Sequence, residues 1–451
     1  MARLRIGRAR RRLASVAPAP YKPGMIRSLL LAPLLFLAAC AAAPSPPVDA
    51  TTQPVAAEDR TGRDDIVILV GIDGLRDDAI DRFADAAPNL RALAEAGLRA
   101  AMIPAMPSVT FVNFYSIATG LHPDRHGVVS NAAHSRALAR TMRRADHPQA
   151  EWWGGEPIWS TAEKQGVRAA AMFWLGSEAE IAGARPSFWS AYDHQKPFPE
   201  RTAQVLAWLA LPESERPRFI TLYFHAVDSA AHAFGVGSPE EKAAIAAVDA
   251  EIGALLAGIA AAGLEDRAHV VVVSDHGMTN VPAGNIVHVD DFLSLDGVYI
   301  PEFEGPDGAG VAPLAHVFAE TTDTDEIHAA LAGRHPAMTA YRREDLPARW
   351  RMNHPDRTGD VVLVAEPGWL LWGRTLVSRY AGGPPKGMHG YDRHHPEMRA
   401  AFIARGPRLC GGCRAEPFDN VAVYGLVAEI LGLEPAPNDG DPAAIRALLR
   451  D

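Results

Sequence analysis

The segment that most constrains this chain is Val270-Val-Val-Val273, followed at once by Ser274-Asp275-His276-Gly277. An uninterrupted apolar run bounded by polar residues reads as a strand buried on both faces, the condition of a parallel sheet covered by helices. Ile66-Val-Ile-Leu-Val70 repeats the pattern and runs into Gly71-Ile-Asp73-Gly74, and Phe219–Phe224 runs into His225-Ala-Val-Asp228. Helical patterns lie around and between these strands at Ala86–Ala96, Ile158–Gln165, Glu200–Leu209 and Pro239–Ala261. Strands alternating with helices predict an α/β fold, with a mostly parallel sheet sandwiched between helices. In such sheets ligands gather beyond the carboxyl ends of the strands, where all of these polar clusters fall.

From about residue 290 the character changes. Asp325–Gly333 reads as a helix and Asp360–Ala365 as a strand, among Gly- and Pro-rich loops. The expected organisation is a core of residues 65–290 and 385–451, interrupted by a small inserted α+β subdomain at 291–384.

The amino terminus reads as an address. Residues 1–39 carry eight basic residues and no acid, and the apolar run Leu29 to Ala39 follows a second possible start at Met25. A basic segment, about ten apolar residues and then small residues form the layout of a signal peptide, too short to span a bilayer. Its end, Leu37-Ala38-Ala39-Cys40, resembles a bacterial lipoprotein cleavage box with Cys40 lipidated. Cleavage at a neighbouring small residue without lipidation is the competing reading. The Ala-, Pro- and Thr-rich stretch after it, residues 40–64, reads as a flexible tether. Export would make a disulfide the expected state of Cys410 and Cys413, with a redox or zinc pair as the alternative.

Four short segments carry candidate metal ligands: Asp73, Asp228 with His232, Asp275 with His276, and His389. The i, i+4 spacing of Asp228 and His232 places both on one face of a helical turn. Mixed carboxylate and imidazole donors favour zinc over the all-oxygen shell of calcium.

Together these motifs resemble the nucleotide pyrophosphatase/phosphodiesterase family of the alkaline phosphatase superfamily, from about residue 65 to residue 407. The markers are Gly71-Ile-Asp-Gly74, Pro107-Ser-Val-Thr-Phe111, Thr119-Gly-Leu-His-Pro-Asp-Arg-His-Gly127 and Gly154-Gly-Glu-Pro-Ile-Trp159. Further along are Trp174-Leu-Gly-Ser-Glu178, Asp228-x3-His232, Ser274-Asp-His-Gly-Met278 and His389-Gly-Tyr391. The resemblance implies an alkaline-phosphatase-like core and two zinc ions. One would be held by Asp73, Asp275, His276 and the nucleophile Thr110, the other by Asp228, His232 and His389. It further implies that Asn131 donates its amide to a phosphate oxygen, and that Phe111, Tyr192 and Tyr223 form an aromatic slot for a base. Thr110 also reads as a helix N-cap, Asn131 as a turn residue and Tyr223 as core packing. His225-Ala-Val replaces the Glu-Glu-Pro common in relatives, a departure that spares the ligands and bears on substrate preference.

The reaction expected from this set is hydrolysis of a small-molecule phosphodiester or nucleotide pyrophosphate through a phospho-threonine intermediate. The Trp174–Glu178 segment brings no cation to neutralise the extra charge of a monoester, so diesters or anhydrides are the expected substrates. Alternatives are a phosphomonoesterase or phospholipid-headgroup phosphodiesterase on the same core, or a zinc-binding surface lipoprotein without catalysis. Membrane association is expected through the lipid anchor only, in the periplasm. With 44 Lys+Arg against 54 Asp+Glu, binding along a nucleic-acid duplex is not expected. The sequence leaves oligomeric state open.

Overall fold

The runs at 66–70 and 270–273 are neighbouring strands of one sheet in the computed structural model. It describes residues 64–304, 310–374 and 383–450, all within one compact unit. The leader, Met25, Cys40 and the tether up to residue 63 lie outside the described residues. The sheet is built from β1 (Ile66–Ile72), β2 (Leu98–Ile103), β3 (Ala169–Met172), β4 (Phe188–Trp189), β5 (Phe219–Phe224), β6 (Ala268–Val273), β7 (Ala400–Arg405), β8 (Cys413–Arg414) and β9 (Phe418–Asp419). Its spatial order is β8-β2-β7-β6-β1-β5-β3-β4, with β9 also on β2. Only β7 runs against the others, pairing antiparallel with β2 and β6.

The uninterrupted strands are explained by two cores. Val67, Leu69, Val271 and Val273 pack on one face with Phe114 and Ile117 of the Thr110–Thr119 helix and with the Ala422–Leu431 helix. Ile66, Ile68, Val70, Val270 and Val272 pack on the other with Leu90, Val205 and Ile252. Alternate residues of each strand therefore bury into opposite layers, so both faces of these strands favour apolar side chains.

The Pro239–Ala261 helix starts at the Ser238 cap, whose hydroxyl accepts the Glu241 N–H at 3.1 Å. By length and composition it is apolar enough to cross a membrane, yet Ile245, Val248, Ile252, Leu255 and Ile259 bury one stripe at alternating three- and four-residue steps. That spacing is the signature of a helix packed on a core.

Within residues 291–384 lies a four-stranded antiparallel sheet in the order Val298–Tyr299, Leu314–Ala319, Val361–Ala365, Met338–Arg342. The Thr324–Leu331 helix, capped by Asp323, buries Ile327 and Leu331 in the same apolar cluster. Residues 305–309 and 375–382 of this segment are outside the described ones. The cluster also takes in Met388 and Tyr391, so it anchors the loop that carries His389.

Candidate active site

Three adjacent strands, β6, β1 and β5, end at one level: Gly71 pairs with Val273, and Ile72 with Phe224. Asp73 leaves β1, Asp275 and His276 leave β6, and Asp228 follows β5 on the first turn of the Ala226–Phe234 helix. Gly74 makes the approach possible. Its φ is +70°, and a Cβ there would sit 2.9 Å from the Asp228 Cα. His389 reaches the same point from its loop, and its ring stacks on His276 with centroids 3.5 Å apart.

The expected ligands therefore converge. His232 Nε2 lies 3.2 Å from Asp228 Oδ1 and 3.2 Å from His389 Nε2. His276 Nε2 lies 2.9 Å from Asp275 Oδ2 and 3.5 Å from Asp73 Oδ1. Two groupings could each hold an ion, Asp228 with His232 and His389, and Asp73 with Asp228 and His276. Asp228 thus belongs to both groupings rather than to one of them.

The donor chemistry fits cations. His232, His276 and His389 each set Nδ1 against a backbone carbonyl, of Gly387 at 2.7 Å, Gly277 at 2.8 Å and Ser108 at 2.9 Å. A ring that donates from Nδ1 presents the Nε2 lone pair to the centre, the usual arrangement behind a metal-binding imidazole. Facing those lone pairs are Asp73 Oδ1, Asp228 Oδ1 and Asp275 Oδ2, all buried and without a hydrogen-bond donor. Acceptors facing acceptors inside a protein are costly unless positive charge lies among them. Burial, reinforced by Asp275 and Asp228, pushes the Asp73 carboxyl well above the usual range. Burial also drives His389 well below the usual imidazole value, with His276 adding to it, which keeps that ring a neutral ligand.

Thr110 is the first residue of its helix. The cap position is Val109, and no side chain caps the helix, so the hydroxyl is not used as the N-cap its position suggested. Instead Thr110 Oγ1 lies 3.3 Å from His276 Nε2. Beside it the Phe111 N–H donates to Asn131 Oδ1 at 2.9 Å, which fixes that amide and leaves its NH₂ end as the donor for an incoming group.

Phe111, Tyr192 and Tyr223 line one cavity of about 340 Å³ together with Thr110, Asn131 and Trp174. Tyr223 does more than line it, because its hydroxyl donates to Asp73 Oδ2 at 2.5 Å. Sequence reasoning missed Arg143 and Arg144, which also line this cavity. Arg144 lies 4.9 Å over the Tyr192 ring and donates to the Tyr192 carbonyl. The cation-poor expectation rests on the Trp174–Glu178 segment and on the neutral Asn131, and the advance signal against it is the adjacent Arg-Arg pair in a polar loop. Away from the site, Cys410 and Cys413 form a disulfide.

The sequence matches the type I phosphodiesterase/nucleotide pyrophosphatase family over residues 67–392. It is 33% identical over 390 residues to a venom phosphodiesterase of Macrovipera lebetinus, covering 85% of this chain and 45% of that protein. The chain thus spans about half the length of that relative. An uncharacterized pyrophosphatase/phosphodiesterase of Schizosaccharomyces pombe is 33% identical over 389 residues, covering 83% of this chain and 78% of that one. Among solved structures, an inactive variant of murine ectonucleotide pyrophosphatase/phosphodiesterase 5 in complex with AMP superposes with a TM-score of 0.79 at 26% identity, covering 86% of this chain and 100% of that one. With the strand-end cluster, the hydroxyl beside it and the matched span taken together, this chain belongs to the type I phosphodiesterase/nucleotide pyrophosphatase family.

Proposed function

We propose that this protein is an exported hydrolase of phosphodiester or pyrophosphate bonds in nucleotides or related small molecules, using Thr110 as nucleophile and two zinc ions as cofactors. The observation that carries the reading is the Thr110 hydroxyl, placed among metal-type ligands where a purely metal-binding protein has no use for it. Asp73, Asp275 and His276 with Thr110 would hold one ion, and Asp228, His232 and His389 the other. Bound there, such ions would favour the alkoxide form of Thr110 and neutralise charge on the phosphate oxygens. The Asn131 amide would donate to a non-bridging oxygen, and Phe111, Tyr192 and Tyr223 would stack a base or other flat group. Thr110 Oγ1 would bond to phosphorus as the outgoing oxygen leaves, and water would then release the phosphoryl group from the threonine. Export and a lipid anchor at Cys40 rest on the leader sequence, and the Cys410–Cys413 disulfide accords with an oxidising compartment.

Replacing Thr110 with Ala is expected to lower turnover of an aryl phosphodiester by at least about 10³-fold while zinc content and melting behaviour are kept. Activity surviving that change would sink the mechanism. An aryl monoester cleaved faster than the matched diester would sink the substrate assignment.

A further inference from the structure

Arg201, in the Phe198–Leu209 helix, is fully buried, and its guanidinium faces backbone carbonyls. Nε donates to the Lys196 carbonyl at 3.0 Å and Nη1 to the Tyr223 carbonyl at 2.9 Å. Nη2 donates to the carbonyls of Asp193 at 3.4 Å and His194 at 3.3 Å. Three of these four acceptors lie in residues 193–196, the turn that follows Tyr192, and the fourth is on the strand residue Tyr223. The guanidinium also lies 5.0 Å over the Phe173 ring and 4.9 Å over that of Phe198. Phe173, Tyr192 and Tyr223 all line the aromatic slot, and the Tyr192 ring meets the other two edge-on, with centroids 5.1 Å and 5.9 Å away. His194 reaches back to the same ring, its Nδ1 3.1 Å from the Tyr192 hydroxyl.

Resting on the reading of this slot as a base-binding site, we propose that Arg201 is its positioning residue: by clamping the 193–196 turn to β5, it holds the Tyr192 ring in stacking position before a nucleotide arrives. Residues 193–195 are exposed and belong to no helix or strand, so their conformation depends on the bonds made to them. A wall already in place removes the entropic cost of ordering it on binding, so stacking appears in full as affinity. Arginine suits the task where lysine does not. Its planar fork directs five donors along fixed lines, which four carbonyls in different directions can use, whereas an ammonium gathers three donors at one point. Arg201 does not itself line the slot, so it acts through Tyr192 and leaves the Thr110 end of the cavity alone.

Two substrates separate positioning from general damage: the p-nitrophenyl ester of TMP, which brings a base, and methyl p-nitrophenyl phosphate, which brings none. In the zinc-loaded Arg201→Lys protein, KM for the TMP ester is expected to rise about tenfold with kcat within about twofold of the parent. AMP affinity by calorimetry should fall about tenfold as well, and kcat/KM on the methyl ester should stay within about twofold. An unchanged KM for the TMP ester, or an equal loss on both esters, would overturn the proposal. In a Tyr192→Ala background Arg201→Lys should add less than about twofold, since the ring it acts through is gone, and a full tenfold addition would also overturn it. Should the lysine variant not fold, Phe198→Leu carries the test, because it removes one ring from the guanidinium and leaves the four carbonyls. KM for the TMP ester should then rise about threefold with the methyl ester unaffected, and an unchanged KM counts against the proposal. Tyr192→Ala alone distinguishes the two readings. Parental AMP affinity in that protein refutes the base-binding slot itself, whereas a loss there without one in Arg201→Lys refutes the role of Arg201 alone.

Discussion

Tyr223 joins two functions in one side chain. Its ring lines the slot edge-on to Phe114 and Tyr192, and its hydroxyl supports Asp73 from behind. Burial, with Asp73 beside it, holds the phenol well above its usual pKa, so it remains a donor to that carboxylate. Tyr223→Phe keeps the ring and removes only this support. The expected result is a 10- to 100-fold weaker hold on metal in a chelator competition, an order typical for loss of a group behind a ligand, with AMP affinity at saturating zinc nearly unchanged. Unaltered metal retention would show that Asp73 needs no such support. At this scale the candidate ligands were legible because Asp73, Asp275 and His276 follow strands and Asp228 and His232 share a helical face at fixed spacing. Arg143 and Arg144 were not, because nothing in a polar loop tells which cation folds over the ring of Tyr192, almost fifty residues further along the chain.

Elements were legible where burial on both faces left a strong pattern. β5 has the bounds expected for it, and β1 and β6 extend their apolar runs by two residues each. β2, β3 and β7 escaped notice because alanine interrupts or replaces the β-branched and aromatic residues of a strand: Leu98–Ile103 is LRAAMI, Ala169–Met172 is AAAM and Ala400–Arg405 is AAFIAR. Alanine has little intrinsic strand preference, so these segments are strands only because the sheet recruits them. The single antiparallel strand, β7, was equally hidden, since pairing direction is set by where the chain returns from residues 291–384. The Pro239–Ala261 helix tests whether its apolar stripe belongs to the core. Ile252 is fully buried in that stripe, and Ile252→Ala should destabilise the protein by about 2–5 kcal/mol in denaturant unfolding, with kcat/KM on a diester within a fewfold of the parent. A loss below about 1 kcal/mol would mean that the stripe packs against something other than the sheet.

For the whole molecule, charge is the quantity that the site reorganises. Taking away residues 1–39 removes eight basic residues and no acids, leaving 36 basic against 54 acidic residues, a net charge of −18 rather than −10. Such a protein attracts anionic substrates only where local positive charge outweighs the global field. The three strand-end carboxylates, with their unpaired oxygens, gather negative charge where the adjacent strands end, and two divalent cations would reverse its sign locally. Because these groups lie at the ends of β1 and β6 and on the helix after β5, cation binding also ties the centre of the sheet to the Ala226–Phe234 helix and to the His389 loop. Metal removal is therefore expected to weaken the fold as well as the activity. With free zinc 100- to 1,000-fold above its Kd, linkage alone contributes about 3–4 kcal/mol, so chelation should lower the Tm by roughly 5 °C or more. The Thr110→Ala protein should show nearly the same drop, since its carboxylates and imidazoles remain in place, and the Asp228→Asn protein a smaller one, since Asp228 stands in both candidate groupings. Differential scanning calorimetry of the three proteins, with and without chelator and after zinc is restored, provides the check. A Tm indifferent to chelator in all of them would mean that these facing acceptors are not held together by cations, and the two-zinc assignment would fall with it.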